Sequence, residues 1–321
     1  MAEVTTGIAM SHAPGLTGWP DAPPQEVRNR IADSVKRIRQ YLLEAQPDLI
    51  VAFLDDHFDN LSRNLYPPIA MGVAQRHWGP PEHYYEVLQI KETKEIPSSE
   101  EFAEALLRHF TAADFDVARL GEVDYCQNLM VPLELVWPEN HIPVVPIFID
   151  VFSTPLIRPA RAHALGASLR QMIESRPERV AVLATGGLSH WPPFWNEKSP
   201  QSDAFLQRMK RFQTEGRHVL EEDPNLLTDL GRYEIDMAKH SEMLLVNEEW
   251  DRRFLDHFAA GDGDYMRSLS WEETAEEAGP GANEMLNWIA LMGAMGDARA
   301  EVLSYDVSPE WITGVAFAIY S

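Results

Sequence analysis

Apolar positions along this chain fall into two kinds of run. Some runs are short and nearly unbroken: Val4-Thr5-Thr6-Gly7-Ile8-Ala9-Met10, Leu49-Ile50-Val51-Ala52-Phe53-Leu54 and Val180-Ala181-Val182-Leu183-Ala184-Thr185. Elsewhere apolar residues recur every three or four positions, as Val27, Ile31, Val35, Ile38 and Leu42 do across 24–45. The first kind predicts strands, the second one face of a helix. Leu49 to Leu54 is too uniformly apolar for a half-exposed strand, so it predicts one buried on both faces. Ser98-Ser99-Glu100-Glu101 predicts a capped helix start ahead of Phe102, Leu106, Leu107 and Phe110. The run 142–149 predicts another buried strand, its prolines Pro143 and Pro146 pointing to an edge or a bulge. A helix over 160–175 then leads to the strand that begins at Val180.

The last third reads as mainly helical. Helices are predicted over 202–221, 248–260 and 283–295, where Met285, Leu286, Met292 and Met295 read as core, with short strands over 302–305 and 312–320. Alternating strands and helices predict an α/β fold: a central, mostly buried β-sheet flanked by helices, with the active site at the strand carboxyl ends. No repeat, low-complexity tract or Gly/Ser linker divides the chain. A single domain over 1–321 is expected, with the helical third packed over the sheet edge.

Charge narrows the choice of partners. The formal net charge is −23, and so acidic a surface repels phosphate backbones and anionic lipids. No nucleic acid and no membrane are the expectations; simple solubility explains the charge, and an anionic small substrate is still compatible with a local basic pocket. There is no apolar stretch long enough to span a bilayer and no leader pattern at the start, so the chain reads as soluble and cytoplasmic. Cys126 is the only cysteine, which rules out an internal disulfide and a thiolate metal cluster.

Candidate chemistry comes from histidines placed at strand exits. His12 follows the first strand in Ser11-His12-Ala13-Pro14-Gly15, and His57 follows the second in Asp55-Asp56-His57-Phe58. His190 ends Gly186-Gly187-Leu188-Ser189-His190, beyond a third strand. One strand-end histidine is ordinarily structural, but three imidazoles at one sheet edge suggest a metal together with a proton-transfer group. Asp55 or Asp56 either orients a ligand imidazole or caps the next turn. Trp191, Phe194 and Trp195 beside His190 either line an aromatic pocket or pack the core. His240-Ser241-Glu242 offers another His and Glu, but no strand precedes it and an exposed or capping role is expected.

These segments, in order, resemble the class III extradiol ring-cleavage dioxygenases of the protocatechuate 4,5-dioxygenase and 2,3-dihydroxyphenylpropionate dioxygenase type. Ser11-His12-Ala13-Pro14 and Asp56-His57 resemble the family's two histidine-ligand segments, and Gly186 to His190 followed by Pro192-Pro193 its base motif. Asn283-Glu284-Met285-Leu286-Asn287-Trp288 is similar to its glutamate-ligand segment, and Pro309-Glu310-Trp311-Ile312-Thr313-Gly314 to its closing segment. The resemblance covers nearly the whole chain. It implies His12, His57 and Glu284 as metal ligands, Fe(II) as the metal and O2 as co-substrate. It further implies His190 as the acid/base that takes a proton from a ring hydroxyl while oxygen inserts beside the diol, opening the ring through a lactone to a semialdehyde. The partners implied are a small aromatic substrate and further copies of the chain in a homo-oligomer. Nitrogen and oxygen ligands also suit Mn(II) or Zn(II); iron is preferred because zinc has no redox chemistry with which to activate oxygen.

One segment departs from the pattern. Tyr125, in Asp124-Tyr125-Cys126, stands where the family has a further histidine beside the metal site, and tyrosine is a far weaker base near neutrality. The expectation is that Tyr125 orients the substrate while His190 alone moves protons. A 2-aminophenol or hydroxypyridone substrate is an alternative to a catechol. Two other classes stay open: a zinc-dependent hydrolase with the same ligands, and a non-catalytic binding protein, since a relative of this superfamily is known as a signalling adaptor. Arg158, Arg161 and Arg252 are candidate partners for a substrate carboxylate.

Overall fold

The computed structural model describes residues 4–197 and 199–320. Its strands are β1 (Val4–Met10), β2 (Leu49–Leu54), β3 (Ile69–Gly72), β4 (Arg76–Gly79), β5 (Lys94–Pro97), β6 (Ala118–Leu120), β7 (Val144–Ile149), β8 (Val180–Thr185), β9 (Ala300–Ser308) and β10 (Thr313–Tyr320). Eight of them form one mixed sheet in the order β6-β3-β7-β2-β8-β1-β10-β9, and β4 pairs with β5 apart from it. The middle of the sheet, β7-β2-β8-β1, is parallel throughout. Every residue of β2, β7 and β8 is buried, as expected of parallel strands covered on both faces. Their shared direction sends the carboxyl ends of β1, β2, β7 and β8 to one edge.

Helices flank this sheet. The helix Gln25–Ala45 packs on β1, β9 and β10, while Met285–Ala294 packs on β1, β2, β8 and the helix Pro159–Glu174. The first buries Val27, Ile31, Ile38 and Leu42, four of the five positions its periodicity picked out. The helix Glu100–Ala112 begins where its capping sequence predicts, with the Phe102 amide donating to Ser99 Oγ at 3.3 Å. Among the described residues no helix is long and apolar enough to cross a membrane.

Three expectations are corrected. β7, with Pro146 inside it, is an interior strand rather than an edge, and no bulge interrupts its pairing with β2. The ring is tolerated because pairing with β3 stops at Met71 opposite Ile147, one residue short of it. The helix expected over 202–221 is two, Ala204–Glu215 and Val219–Glu222, since the first closes at Gly216. A further helix, Leu226–His240, has no counterpart in the predicted elements, although Leu226, Leu230, Tyr233 and Met237 recur at helical spacing.

Candidate active site

Three strand exits and one short helix build the site. His12 follows β1, His57 follows β2, and the Gly186–His190 segment follows β8. Glu284 ends the 3-10 turn Pro280–Glu284, which leads into the helix Met285–Ala294. Glu284 lies over the β8 exit because Gly186 has no side chain: a Cβ there would sit 2.7 Å from Glu284 Cβ, and its φ of +154° is one that other residues rarely adopt. The Gly187 amide then donates to Glu284 Oε2. The ring nitrogens meet this carboxylate, with His12 Nε2 3.6 Å from Oε2 and His57 Nε2 3.9 Å from Oε1. Together with Asp55, these residues offer ligand atoms all within 4.8 Å of one another, and all four are buried.

Hydrogen bonds set which nitrogen each imidazole presents. Thr185 Oγ1 donates to the Asn128 carbonyl at 2.8 Å, so it accepts from His12 Nδ1 at 3.0 Å and leaves Nε2 with a lone pair toward the cluster. His57 Nδ1 faces Asp55 Oδ2 and Cys126 Sγ, each at 3.4 Å, which turns its Nε2 inward likewise. Asp56 does the other job open to this acidic pair, accepting from the amides of Asn60 and Leu61 and closing the turn. His190 Nδ1 is held by the Leu188 carbonyl at 2.9 Å, and its Nε2 lies 3.7 Å from Glu284 Oε1.

The electrostatics fit a cation. Burial lowers all three imidazoles, His57 to about 3, His190 to about 4 and His12 well below its usual value, so they are neutral and their lone pairs are available. Burial pushes Glu284 up to about 8 and Asp55 well above the ordinary carboxyl range. Beyond its 3.4 Å approach to His57 Nδ1, Asp55 Oδ2 has no hydrogen-bond partner among the described residues. Buried carboxyls without a counter-charge, opposite neutral imidazoles, are what a divalent ion stabilises. The donors are nitrogen and oxygen, which suits iron, manganese or zinc.

Above the cluster lies a partly open pocket. Phe152, Phe194 and Phe212 make one wall, and Leu227, Leu230 and Val87 another. Of the expected aromatic residues Phe194 lines it, whereas Trp191 does not and Trp195 lies under Lys210 and Arg63 instead. Tyr125 is not brought to the site. It is fully buried, with its ring 5.6 Å from His77 and its hydroxyl unpartnered. Pairing of its amide with the Trp78 carbonyl at 2.7 Å fixes the segment so that Gln127, rather than Tyr125, lines the cavity. Gln127 is 8% exposed and its Oε1 has no hydrogen-bond partner. His240 is exposed at the end of its helix, and Glu242 is exposed too.

Sequence reasoning missed Gln127, Thr185 and Asp251. Asp251 accepts from the Ser189 amide at 2.7 Å, the Ser189 hydroxyl at 2.8 Å and the Tyr305 hydroxyl at 2.8 Å, so it anchors the residue before His190. Its helix is distant in sequence from that loop, and no local signal marks it.

Two imidazoles and a carboxylate converging at the strand ends of an α/β sheet define a candidate mononuclear metal centre, of the kind that leaves one face of the ion open. Residues 6–318 match the family described as the catalytic LigB subunit of aromatic ring-opening dioxygenase, and the chain belongs to it. It is similar to a protein of Rhodococcus jostii (strain RHA1), 30% identical over 95% of this chain and 94% of that one. It is also similar to one of Cupriavidus necator, 29% identical over 96% and 95%. Both are named 2,3-dihydroxyphenylpropionate/2,3-dihydroxicinnamic acid 1,2-dioxygenase. The chain is therefore a ring-cleaving dioxygenase, and its family implies a metal, O2 and an aromatic substrate. The hydrolase reading of the same donors is not favoured.

Proposed function

We propose that this protein is an Fe(II)-dependent extradiol dioxygenase that opens an aromatic ring beside a vicinal diol to give a semialdehyde. His12, His57 and Glu284 would hold the iron, and His190 is the acid/base. The observation that carries this reading is the meeting of His12 Nε2 and His57 Nε2 with one buried carboxylate. Bound iron(II) supplies open coordination positions and redox chemistry through which a diol and O2 react. The protein's own part is binding, proton transfer and exclusion of water.

His190 suits the proton step. Its Nδ1 proton is spent on the Leu188 carbonyl, so Nε2 accepts the proton of a ring hydroxyl and returns it as the ring opens. Phe152, Phe194 and Phe212 cover the ring face and keep bulk water from it. Gln127 offers an amide to the substrate from the cavity wall; Tyr125, packed against His77, has no part in this scheme.

The test is anaerobic reconstitution with Fe(II), followed by oxygen uptake and absorbance of a yellow ring-opened product with catechol, 3-methylcatechol, 2-aminophenol and a hydroxypyridone. Uptake matched by product on a diol is expected. Iron bound tightly with no oxygen consumed on any member of the panel would overturn the reading.

A further inference from the structure

The cavity's charges are lopsided. No arginine or lysine lines it among the described residues, and its only acid outside the metal cluster is Glu234. Glu234 belongs to the helix Leu226–His240, whose Leu227, Leu230 and Gly231 line the cavity with it. These positions are three, four and seven apart, so they form one stripe facing the cavity. The stripe presents an apolar run that ends in a carboxyl group.

Among the described residues, several arginines that could serve a substrate carboxylate lie away from the lining. Arg232, on the same helix, is 68% exposed and pairs with Asp229 and Glu86. Arg63 gives its guanidinium to the Phe152 and Trp195 carbonyls and to Glu197. Arg161 lies over the Phe115 ring and Arg252 pairs with Glu248, while Arg158 only precedes the helix Pro159–Glu174. None of these reaches the cavity lining. Of the polar side chains that do, Tyr84 donates to Asp59 and Thr313 to the Gly314 carbonyl, which leaves the Gln127 amide as a neutral donor. A substrate carboxylate carried along the leucine wall would be buried beside an acid with no counter-charge, which is costly. A donor at the same place would be satisfied by Glu234.

Resting on the ring-cleavage reading above, we propose that the substrate's side chain ends in a hydrogen-bond donor, an amine or amide, that binds Glu234. The two relatives described above carry names of substrates that end in a carboxylate. Glu234 is half-buried, and desolvation raises its carboxyl to about 8.

The experiment compares four catechols on the iron-loaded enzyme: 3-methylcatechol, and three with a three-carbon tail at ring position 3 ending in carboxylate, amide or amine. Oxygen uptake gives kcat/KM, and anaerobic calorimetry gives Kd. Amide and amine should exceed the carboxylate by about tenfold or more in both quantities, and Glu234→Gln should shrink the amine-over-carboxylate ratio by about tenfold. A carboxylate bound and turned over as well as the amine, or a ratio that Glu234→Gln leaves unmoved, overturns the proposal. Uptake with 3-methylcatechol but a preference for the carboxylate defeats the tail assignment alone. Absence of uptake with all four defeats the ring-cleavage reading, and the anaerobic Kd values then still decide the tail.

Discussion

Each imidazole at this site is oriented through the nitrogen that does not face the cluster. Thr185 can receive the His12 Nδ1 proton only because its own hydroxyl hydrogen goes to Asn128. Thr185→Val keeps the shape and removes the acceptor, so metal affinity should fall about 10–100-fold, measured by competition with a chelator. His190 is held in the same manner by a backbone carbonyl that no substitution removes. His190→Asn should therefore bind metal as the parent does while turnover falls about 10²–10⁴-fold, read from metal content and oxygen uptake. A variant with parental turnover would remove His190 from the proton step. At this scale His12, His57 and His190 were legible in the sequence, because a histidine directly beyond an apolar run is a local pattern. Glu284 was legible only through the family resemblance, and Gln127 not at all, since the residue that reaches the cavity depends on how the Trp78–Tyr125 pairing turns the segment.

Elements set how firmly that chemistry is held. The helix Glu248–Ala260 touches no substrate, yet Asp251 on it takes two hydrogen bonds from Ser189 and one from Tyr305. Asp251→Ala leaves three donors without that acceptor and should cost about 3 kcal/mol, visible as a lower denaturant midpoint. Turnover should drop with it, because His190 follows the residue released. The helix Leu226–His240 contributes differently, as a wall whose stripe sorts substrate tails. The predicted elements lacked it even though Leu226, Leu230, Tyr233 and Met237 keep a helical spacing, because Arg232, Glu234, Asp236 and Lys239 are interspersed with them. Short strands such as β3 to β6, of three or four residues, were likewise too brief for an alternation to show.

Across the whole molecule, the sheet and its acids form one electrostatic unit. Asp55 and Glu284 are buried at its carboxyl edge, where burial opposes their charge. A divalent ion removes that penalty in the native state and finds no preformed site in the unfolded chain, so folding and metal binding are linked. At about 100 times its Kd, a metal that binds only the native state adds about 2.7 kcal/mol of stability. Anaerobic Fe(II) should accordingly raise Tm by several degrees, and a chelator should reverse it. A Tm indifferent to metal would contradict the cluster's role.

The sequence by itself determined the buried central strands, the long helix after the first of them and the histidines at their exits, because each follows from a pattern of neighbours in the chain. Only the tertiary structure decided that β7 lies inside the sheet despite Pro146, that Asp55 joins the cluster while Asp56 closes a turn, and that Glu234 looks into the cavity. Those outcomes depend on which distant segment packs beside each residue, and burial and hydrogen bonding act through space, where local periodicity carries no information.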